Sequence, residues 1–291
     1  MKSNPPTPQS ILFQLANQAE RIETSFTDGK MVWHHWPSKN STRPPIILLH
    51  GGFGSWTHWA RVISELQKSA PVIAADLPGL GDSSDVPIPH TAEKLAAITK
   101  QGIDQILPTG TPFHLVGFSF GGMLGSLIAA LSDEQCLTFT AVGASGFGDL
   151  HYIVEGIEKP ADDMPEQMIT DIHRKNLQLL MFASSEMIDD LSLHIHRSNV
   201  TRGRIKSRRL SVSDALLKAL PNIKAKIGGI WGELDKTGGG LAQIRTRAQI
   251  FRQYQPDAPF DIIDGAGHWV MYEQPNTFST TLLRQLGYSE I

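Results

Sequence analysis

Cysteine is almost absent from this chain, since Cys136 is the single cysteine in 291 residues. One cysteine excludes a disulfide within the chain and a metal site built from several thiolates, and it fits a reducing compartment. An HExxH segment is missing as well. His194 and His196 are two residues apart, and such residues do not face each other on a helix. We therefore expect no metal ion and no other cofactor.

Long apolar runs are also missing. No stretch approaches the roughly eighteen consecutive apolar residues that a membrane-spanning helix needs. The segment 1–10 is rich in Pro, Ser and Asn and lacks the apolar centre of a secretion signal. These absences predict a cytoplasmic protein that makes no contact with a membrane.

Neither sign of charge dominates, because 26 Lys and Arg residues stand against 29 Asp and Glu residues. A formal net charge of −3 provides no field that would attract nucleic acid. One basic run, at residues 201–209, interrupts this balance, and we interpret it as a solvated surface. We expect a small-molecule substrate and no nucleic-acid partner, while a homodimer stays open.

What the chain does contain is an alternation of strand patterns and helix patterns. Two short runs, 22–26 and 31–36, are joined across Asp28-Gly29 and predict a hairpin. Further strands are predicted at 46–49, 72–75, 113–116, 137–142, 225–231 and 260–263, and helices at 56–67, 91–107, 123–131, 241–254 and 276–286. Thr91 is a candidate N-cap. This alternation predicts an α/β fold with a mostly parallel central sheet and helices on both faces.

The alternation stops between residues 149 and 221. This stretch contains helical patterns separated by Pro160, Pro165 and polar runs, and it shows no convincing strand. We interpret it as a helical lid inserted over one end of the sheet. The predicted α/β core then comprises residues 1–148 and 222–291.

A candidate nucleophile lies between a predicted strand and a predicted helix, in the segment Gly117-Phe118-Ser119-Phe120-Gly121. The pattern G-x-S-x-G is typical of a tight turn that lifts a serine hydroxyl clear of a sheet. Glycine suits positions 117 and 121, because side chains there would collide with the neighbouring strand and helix. Ser119 is therefore the predicted nucleophile.

Reactive side chains follow three other predicted strands, and ligands of parallel sheets bind at such strand ends. His268 follows the last strand and can act as the base that a serine hydroxyl needs. The base needs a carboxylate on its other ring nitrogen. Asp235 follows the preceding strand, while Glu233, Asp264 and Asp149 are competing candidates.

An oxyanion formed during acyl transfer needs N–H donors. One donor is the N–H of Phe120, directly after the predicted nucleophile. The segment His50-Gly51-Gly52-Phe53 supplies the other, with Gly52 favoured over Phe53, since glycine lets the backbone approach a substrate.

Five motifs occur in a fixed order: HGGFGSW at 50–56, DLPGLGDS at 76–83, GFSFGG at 117–122, WGELD at 231–235 and GAGHW at 265–269. Together they resemble the α/β-hydrolase superfamily over nearly the whole predicted core. The resemblance implies the chain order Ser, Asp, His and favours Asp235 as the acid. It also implies a structural role for DLPGLGDS. The Asp nucleophile of epoxide hydrolases and haloalkane dehalogenases is replaced here by Ser119, which disfavours both activities.

Within the superfamily the chain is similar to the meta-cleavage-product C–C hydrolases, in GHW followed by Glu273 and in the lid stretch from Asn176 to Arg197. The resemblance implies that Arg197 grips a substrate carboxylate. The family tends to have Asn at the position of Phe118 in this chain. It also tends to have a Gly-Pro-Gly turn at the position of Phe53-Gly54-Ser55.

Both departures make the site more apolar, with Phe53, Phe118 and Trp269 expected at the substrate. We therefore favour a cofactor-free serine hydrolase that cleaves a small ester or ketone. Cleavage of a C–C bond in a dienoate is the alternative, followed by a perhydrolase or lyase and by a ligand-sensing receptor.

Overall fold

A computed structural model describes residues 5–27, 29–39, 42–150, 152–161 and 163–288. Asp28 of the predicted hairpin turn and residues 1–4 of the N-terminal segment lie outside the described residues. No helix within the described ranges is long and apolar enough to cross a membrane.

An eight-stranded sheet forms the centre of the described structure. The strands are β1 (Glu20–Phe26), β2 (Gly29–Trp36), β3 (Ile46–Leu49), β4 (Val72–Asp76), β5 (Phe113–Phe118), β6 (Cys136–Val142), β7 (Lys226–Gly232) and β8 (Phe260–Ile263). Their order across the sheet is β1-β2-β4-β3-β5-β6-β7-β8. β2 pairs antiparallel with β1 and β4, and all other pairs are parallel. The predicted mostly parallel sheet is thus confirmed.

Helices cover both faces of this sheet. They are α1 (Pro8–Ala16), α2 (Ile63–Ser69), α3 (Ala92–Ile106), α4 (Phe120–Leu131), α5 (Glu166–Leu180), α6 (Asp190–Thr201), α7 (Ser207–Ser211), α8 (Ala215–Ala219), α9 (Leu241–Tyr254), α10 (Val270–Glu273) and α11 (Pro275–Gln285). Helices α3, α4 and α9 pack in the core on one face, and α1, α2 and α11 pack on the other. Neighbouring residues of β5 alternate between the faces, Leu115 in one core and Val116 in the other. Such strands must be apolar throughout.

Three helices differ from the sequence-based expectation. α10 was not predicted, and neither was α1. Thr7 caps this helix by accepting a hydrogen bond from the Ser10 N–H, and Pro8 occupies its first turn, where a missing N–H has no cost. The predicted helix 56–67 is instead a short 3₁₀ turn at Trp56–Trp59 followed by α2. Thr91 does cap α3, as predicted.

Helices α5–α8 form an insert between β6 and β7, inside the range 149–221. Asn199 on α6 ties the insert to the segment after β3, because its amide oxygen accepts from Ser55 Oγ at 2.8 Å and its Nδ2 donates to Thr57 Oγ1 at 3.1 Å. All three side chains are buried. A buried and mutually satisfied polar network holds its members in one arrangement.

The basic run at 201–209 forms a second anchor of the insert. Arg202 Nη1 donates to Asp82 Oδ1 at 2.8 Å, and Arg204 pairs with Asp85. Arg208 and Arg209 are exposed. The interpretation as a solvated surface therefore applies to only part of the run, since carboxylates that follow β4 attract the two arginines nearest to them.

Asp76, the last residue of β4, holds together the loops beneath this anchor. It is buried, and its two carboxyl oxygens accept from the N–H groups of Trp56 at 2.9 Å and Asp82 at 2.8 Å. Burial raises the pKa of Asp76 to about 6, although both hydrogen bonds oppose this shift. The folded protein therefore binds this proton more tightly than the unfolded chain does.

The sign of this shift predicts how stability depends on pH. The contribution of Asp76 to the free energy of unfolding should be largest below pH 4 and should be lost as pH rises through about 6. Urea denaturation of the wild type and Asp76→Asn should show a stability difference that changes by on the order of 1–3 kcal/mol between pH 4.5 and pH 7.5. Asp257→Asn controls for the loss of one negative charge. A difference between wild type and Asp76→Asn that stays constant over this range would contradict the prediction.

Candidate active site

The turn between β5 and α4 places Ser119 in a strained conformation. Its backbone φ is 52°, in the left-handed region that non-glycine residues rarely adopt. A Cβ on Gly117 would lie 2.3 Å from the Gly121 carbonyl oxygen, and a Cβ on Gly121 would lie 2.4 Å from the His50 carbonyl oxygen. Backbone atoms cannot yield to such contacts, so both positions require glycine.

Backbone hydrogen bonds hold Ser119 in this conformation. Its N–H donates to the Val142 carbonyl at 2.8 Å, and its carbonyl accepts from the Ser145 N–H at 3.1 Å. Ser119 is half-buried, whereas Phe118 before it and Phe120 after it are fully buried. The turn therefore leaves Ser119 accessible between two residues of the core.

The loop after β8 brings His268 against a carboxylate. His268 Nδ1 lies 2.9 Å from Asp235 Oδ2, and both side chains are buried. Phe118, adjacent to Ser119, packs on the His268 ring with centroids 4.8 Å apart. With Nδ1 directed to Asp235, Nε2 remains for a proton transfer on the opposite side of the ring.

Asp235 is held by more than the histidine. Its Oδ1 accepts from the Thr237 N–H at 2.9 Å, the Thr237 hydroxyl at 2.7 Å and the Gly238 N–H at 3.1 Å. Burial alone would raise the pKa of this carboxyl. The adjacent His268 ring and these hydrogen bonds outweigh burial and hold the pKa of Asp235 below its usual value. The carboxylate is therefore ionised at neutral pH.

The competing carboxylates occupy other positions. Glu233 accepts a hydrogen bond from the Gly265 N–H at 3.0 Å, and Asp264 is exposed. Asp149, after β6, borders a separate surface cavity of about 670 Å³ together with Val212. Among the four candidates, Asp235 is the one that hydrogen-bonds to His268.

A buried neutral histidine shapes the loop after β3. His50 Nδ1 donates to the Gly51 carbonyl at 2.7 Å, and Nε2 accepts from the Leu77 N–H at 2.9 Å. Burial lowers the pKa of His50 to about 4, which keeps the ring neutral with one donor and one acceptor nitrogen. Residues 51–53 are thereby held beside the nucleophile turn.

Three backbone N–H groups of the site donate no hydrogen bond to any part of the chain that the structure describes: those of Gly52, Phe53 and Phe120. A Cβ on Gly51 would lie 3.3 Å from Ser119 Cβ, so this loop runs directly beside the nucleophile. Phe53 has a positive φ of 49°. The three groups predicted for an oxyanion hole therefore have free N–H donors near Ser119.

Of the side chains predicted at the substrate, two are packed into the core. Phe118 is buried against the rings of His58, Trp59 and His268. Trp269 is also buried, and its Nε1 donates to the His58 carbonyl at 2.8 Å. Both pack against the histidines of the site from within the core. Phe53, by contrast, is partly exposed and lies next to Gly203 of the insert.

Arg197 lies on α6 and contacts α5. Its Nη1 donates to Glu166 Oε1 at 2.6 Å and to Thr170 Oγ1 at 3.2 Å. It also lines an open groove of about 480 Å³ on α6. In this arrangement the guanidinium has a carboxylate partner within the insert, and its binding of a substrate carboxylate stays a prediction.

Three further residues position the site, and the sequence did not predict them as members of it. Arg247 on α9 is buried and donates to the Gly238 carbonyl at 2.6 Å, behind the Asp235 loop. Glu273 accepts from the Gly267 N–H at 2.6 Å and from the Ala183 N–H at 2.9 Å, so it joins the His268 loop to the insert. Thr237 binds Asp235 and lies 2.9 Å from His268 Nδ1. Only Glu273 carried a sequence signal, through its place after GHW.

The two histidines of the His-x-His segment do not form a metal site with their neighbours. His196 packs edge-on against His173, with centroids 5.3 Å apart. Within the described ranges, no three His, Cys, Asp or Glu side chains lie together in a way that could hold a metal ion.

The Alpha/beta hydrolase family matches residues 46–280 of this chain. An acetyltransferase component of an acetoin cleaving system from Cupriavidus necator is 25% identical over 90% of the chain and 68% of that protein. A 2-hydroxy-6-oxononadienedioate/2-hydroxy-6-oxononatrienedioate hydrolase from Comamonas testosteroni is 26% identical over 82% of the chain and 86% of that protein. A pimeloyl-[acyl-carrier protein] methyl ester esterase from Proteus mirabilis is 23% identical over 86% of the chain and 95% of that protein.

A solved structure shares the fold. Naproxen esterase from Bacillus subtilis superimposes with a TM-score of 0.74, covering 96% of each chain at 16% identity. At this identity the likeness concerns the arrangement of sheet, helices and insert.

Proposed function

Because this chain belongs to the α/β-hydrolase family, we propose that it is a cofactor-free serine hydrolase that cleaves a small carboxylic ester or ketone. The observation that carries the proposal is the strained Ser119 turn beside the buried His268–Asp235 pair. The strain has no structural purpose in a turn that serves only as a connection, and such strain is typical of functional sites.

The proposed reaction begins with attack of Ser119 Oγ on the substrate carbonyl carbon. The hydroxyl proton passes to His268 Nε2, and Asp235 stabilises the resulting imidazolium. The bond to the leaving group then breaks, and His268 returns the proton to the departing alkoxide or carbanion. The product of this half-reaction is an acyl ester of Ser119.

Water completes the cycle. His268 takes a proton from water as the hydroxide attacks the acyl carbon, and Ser119 regains that proton when the acyl bond breaks. The N–H groups of Phe120 and Gly52, with Phe53 as the alternative, hold the oxyanion in both steps. Residues 149–221 act as a lid over the site, which shields the developing oxyanion from bulk solvent while a single water molecule reacts.

Hydrolysis of a C–C bond is the second candidate, because one relative is a hydrolase of a dienedioate. Such a substrate carries carboxylates, and a desolvated carboxylate needs a cation. Arg197 is the predicted cation, but Glu166 already neutralises it. A neutral ester is therefore the better candidate, and an esterase is also among the relatives.

Replacement of Arg197 separates the two candidates. If Arg197 grips a substrate carboxylate, Arg197→Ala should raise KM strongly for an acidic ring-fission dienoate, because the contact contributes roughly 2–5 kcal/mol. The KM for a neutral p-nitrophenyl ester should barely change. We expect instead small and equal effects on both substrates, because the ion pair with Glu166 lies within the insert.

Steady-state kinetics of the wild type, Arg197→Ala and Arg208→Ala on both substrates provide the test. Arg208 is an exposed arginine of the insert and controls for the loss of charge. A selective increase in KM for the dienoate in Arg197→Ala would reverse our preference. Turnover of neither substrate by the wild type would contradict the proposed enzyme and favour a ligand-sensing receptor.

A further inference from the structure

Ser207, the first residue of α7, has a buried hydroxyl without a protein partner. The residue is 1% exposed, and its Oγ makes no hydrogen bond within the ranges that the structure describes. A buried hydroxyl without a partner costs free energy, typically 1–3 kcal/mol. A ligand bound beside Ser207 would supply the missing partner.

The position of this hydroxyl identifies where that partner would lie. A Cβ placed on Gly52 would be 2.7 Å from Ser207 Oγ and 3.7 Å from Phe120 Cβ. Ser207 Oγ therefore lies close to Gly52, beside the loop and the turn that carry the free N–H groups of Gly52 and Phe120. A side chain at position 52 would collide with Ser207 Oγ.

The core holds Ser207 in this place. The Arg204 N–H donates to the Gly79 carbonyl at 3.1 Å, and Ile205 is buried against Gly79. Within α7, the Ser211 hydroxyl donates to the Ser207 carbonyl at 3.1 Å. Contacts at Arg204 and Ile205 before Ser207, and at Ser211 after it, therefore fix the backbone on both sides of Ser207. Its side chain has a defined position relative to the nucleophile turn.

We propose that Ser207 is a catalytic residue whose hydroxyl donates a hydrogen bond to the substrate oxyanion, beside the N–H groups of Gly52 and Phe120. The proposal rests on the proposed acyl transfer at Ser119. The hydroxyl keeps its proton, and no bond to Ser207 forms or breaks. The insert therefore takes part in the chemistry, because turnover needs α7 in contact with the core.

The test is Ser207→Ala, assayed with a p-nitrophenyl ester. Loss of one oxyanion donor should lower kcat by about 10- to 1,000-fold and leave KM within about threefold, because the bond strengthens as charge develops. A trifluoromethyl ketone, which forms a charged adduct with a serine nucleophile, should bind the variant more weakly by a similar factor.

Ser213→Ala is the matched control, because it removes a hydroxyl of the insert that donates to Met123 Sδ at 3.4 Å and does not contact Ser207. An equal loss of kcat in both variants would overturn the proposal and indicate damage to the packing of this part of the insert. Unchanged affinity for the trifluoromethyl ketone, or kcat of Ser207→Ala within twofold of the wild type, would also overturn it. Ser119→Ala, assayed in parallel, distinguishes failure of this proposal from failure of the proposed function. Activity in Ser119→Ala would contradict the proposed function, whereas activity in Ser207→Ala alone contradicts only the role of Ser207.

Discussion

Ser119→Ala should abolish ester hydrolysis, with a loss of roughly 10⁴-fold or more in kcat. The reason is that the proposed reaction has no other nucleophile at the site, and the remaining N–H donors can stabilise only uncatalysed attack by water. The variant should fold normally. The Ser119 side chain makes no hydrogen bond within the described structure, and alanine is smaller than serine.

Kinetics with a p-nitrophenyl ester should be measured together with the urea midpoint of the same preparation. Ser126→Ala is a matched control, because Ser126 lies on α4 with its hydroxyl bonded to the Met123 carbonyl. It should cost stability at most and retain turnover. Near-normal kcat in a folded Ser119→Ala protein would be incompatible with the acyl-enzyme mechanism.

Asp235→Asn should lower kcat by about 10⁴-fold, the second largest effect expected here. An amide cannot stabilise the imidazolium as a carboxylate does. If the amide oxygen keeps the hydrogen bonds from Thr237 and Gly238, the NH₂ group faces His268 Nδ1 and cannot accept a hydrogen bond from it. His268 would then lose the carboxylate that fixes its tautomer.

Glu233→Gln and Asp149→Asn are the comparison variants, because both residues compete for the same role in the sequence. Each should retain kcat within a few fold of the wild type, since neither hydrogen-bonds to His268 in the described structure. A crippled Asp149→Asn beside an active Asp235→Asn would show that another carboxylate is the acid. Circular dichroism and urea midpoints of all three variants exclude loss of fold as the cause.

Local patterns predicted most of the strands and several helices, because strand burial and helix amphipathicity repeat over a few residues. They did not predict α1, whose capping residue Thr7 and Pro8 stand in a segment of loop-like composition. They also joined Trp56–Trp59 and α2 into one helix, although a 3₁₀ turn separates them. Element boundaries depend on capping and packing that a periodic pattern does not contain.

The sequence by itself determined the α/β class, the glycine-flanked Ser119 and the placement of His268 after the last strand. Each of these depends on residues adjacent in the chain. The sheet order, by contrast, places β4 between β2 and β3, which no local pattern states.

The tertiary structure decided which of four carboxylates lies against His268 and that Arg197 is paired with Glu166. It also decided that Ser207 reaches Gly52, 155 positions away in the numbering. The physical reason is that these contacts join segments far apart in the chain. Their distances follow from how the insert packs on the sheet, and each depends on the whole set of anchoring hydrogen bonds and buried side chains.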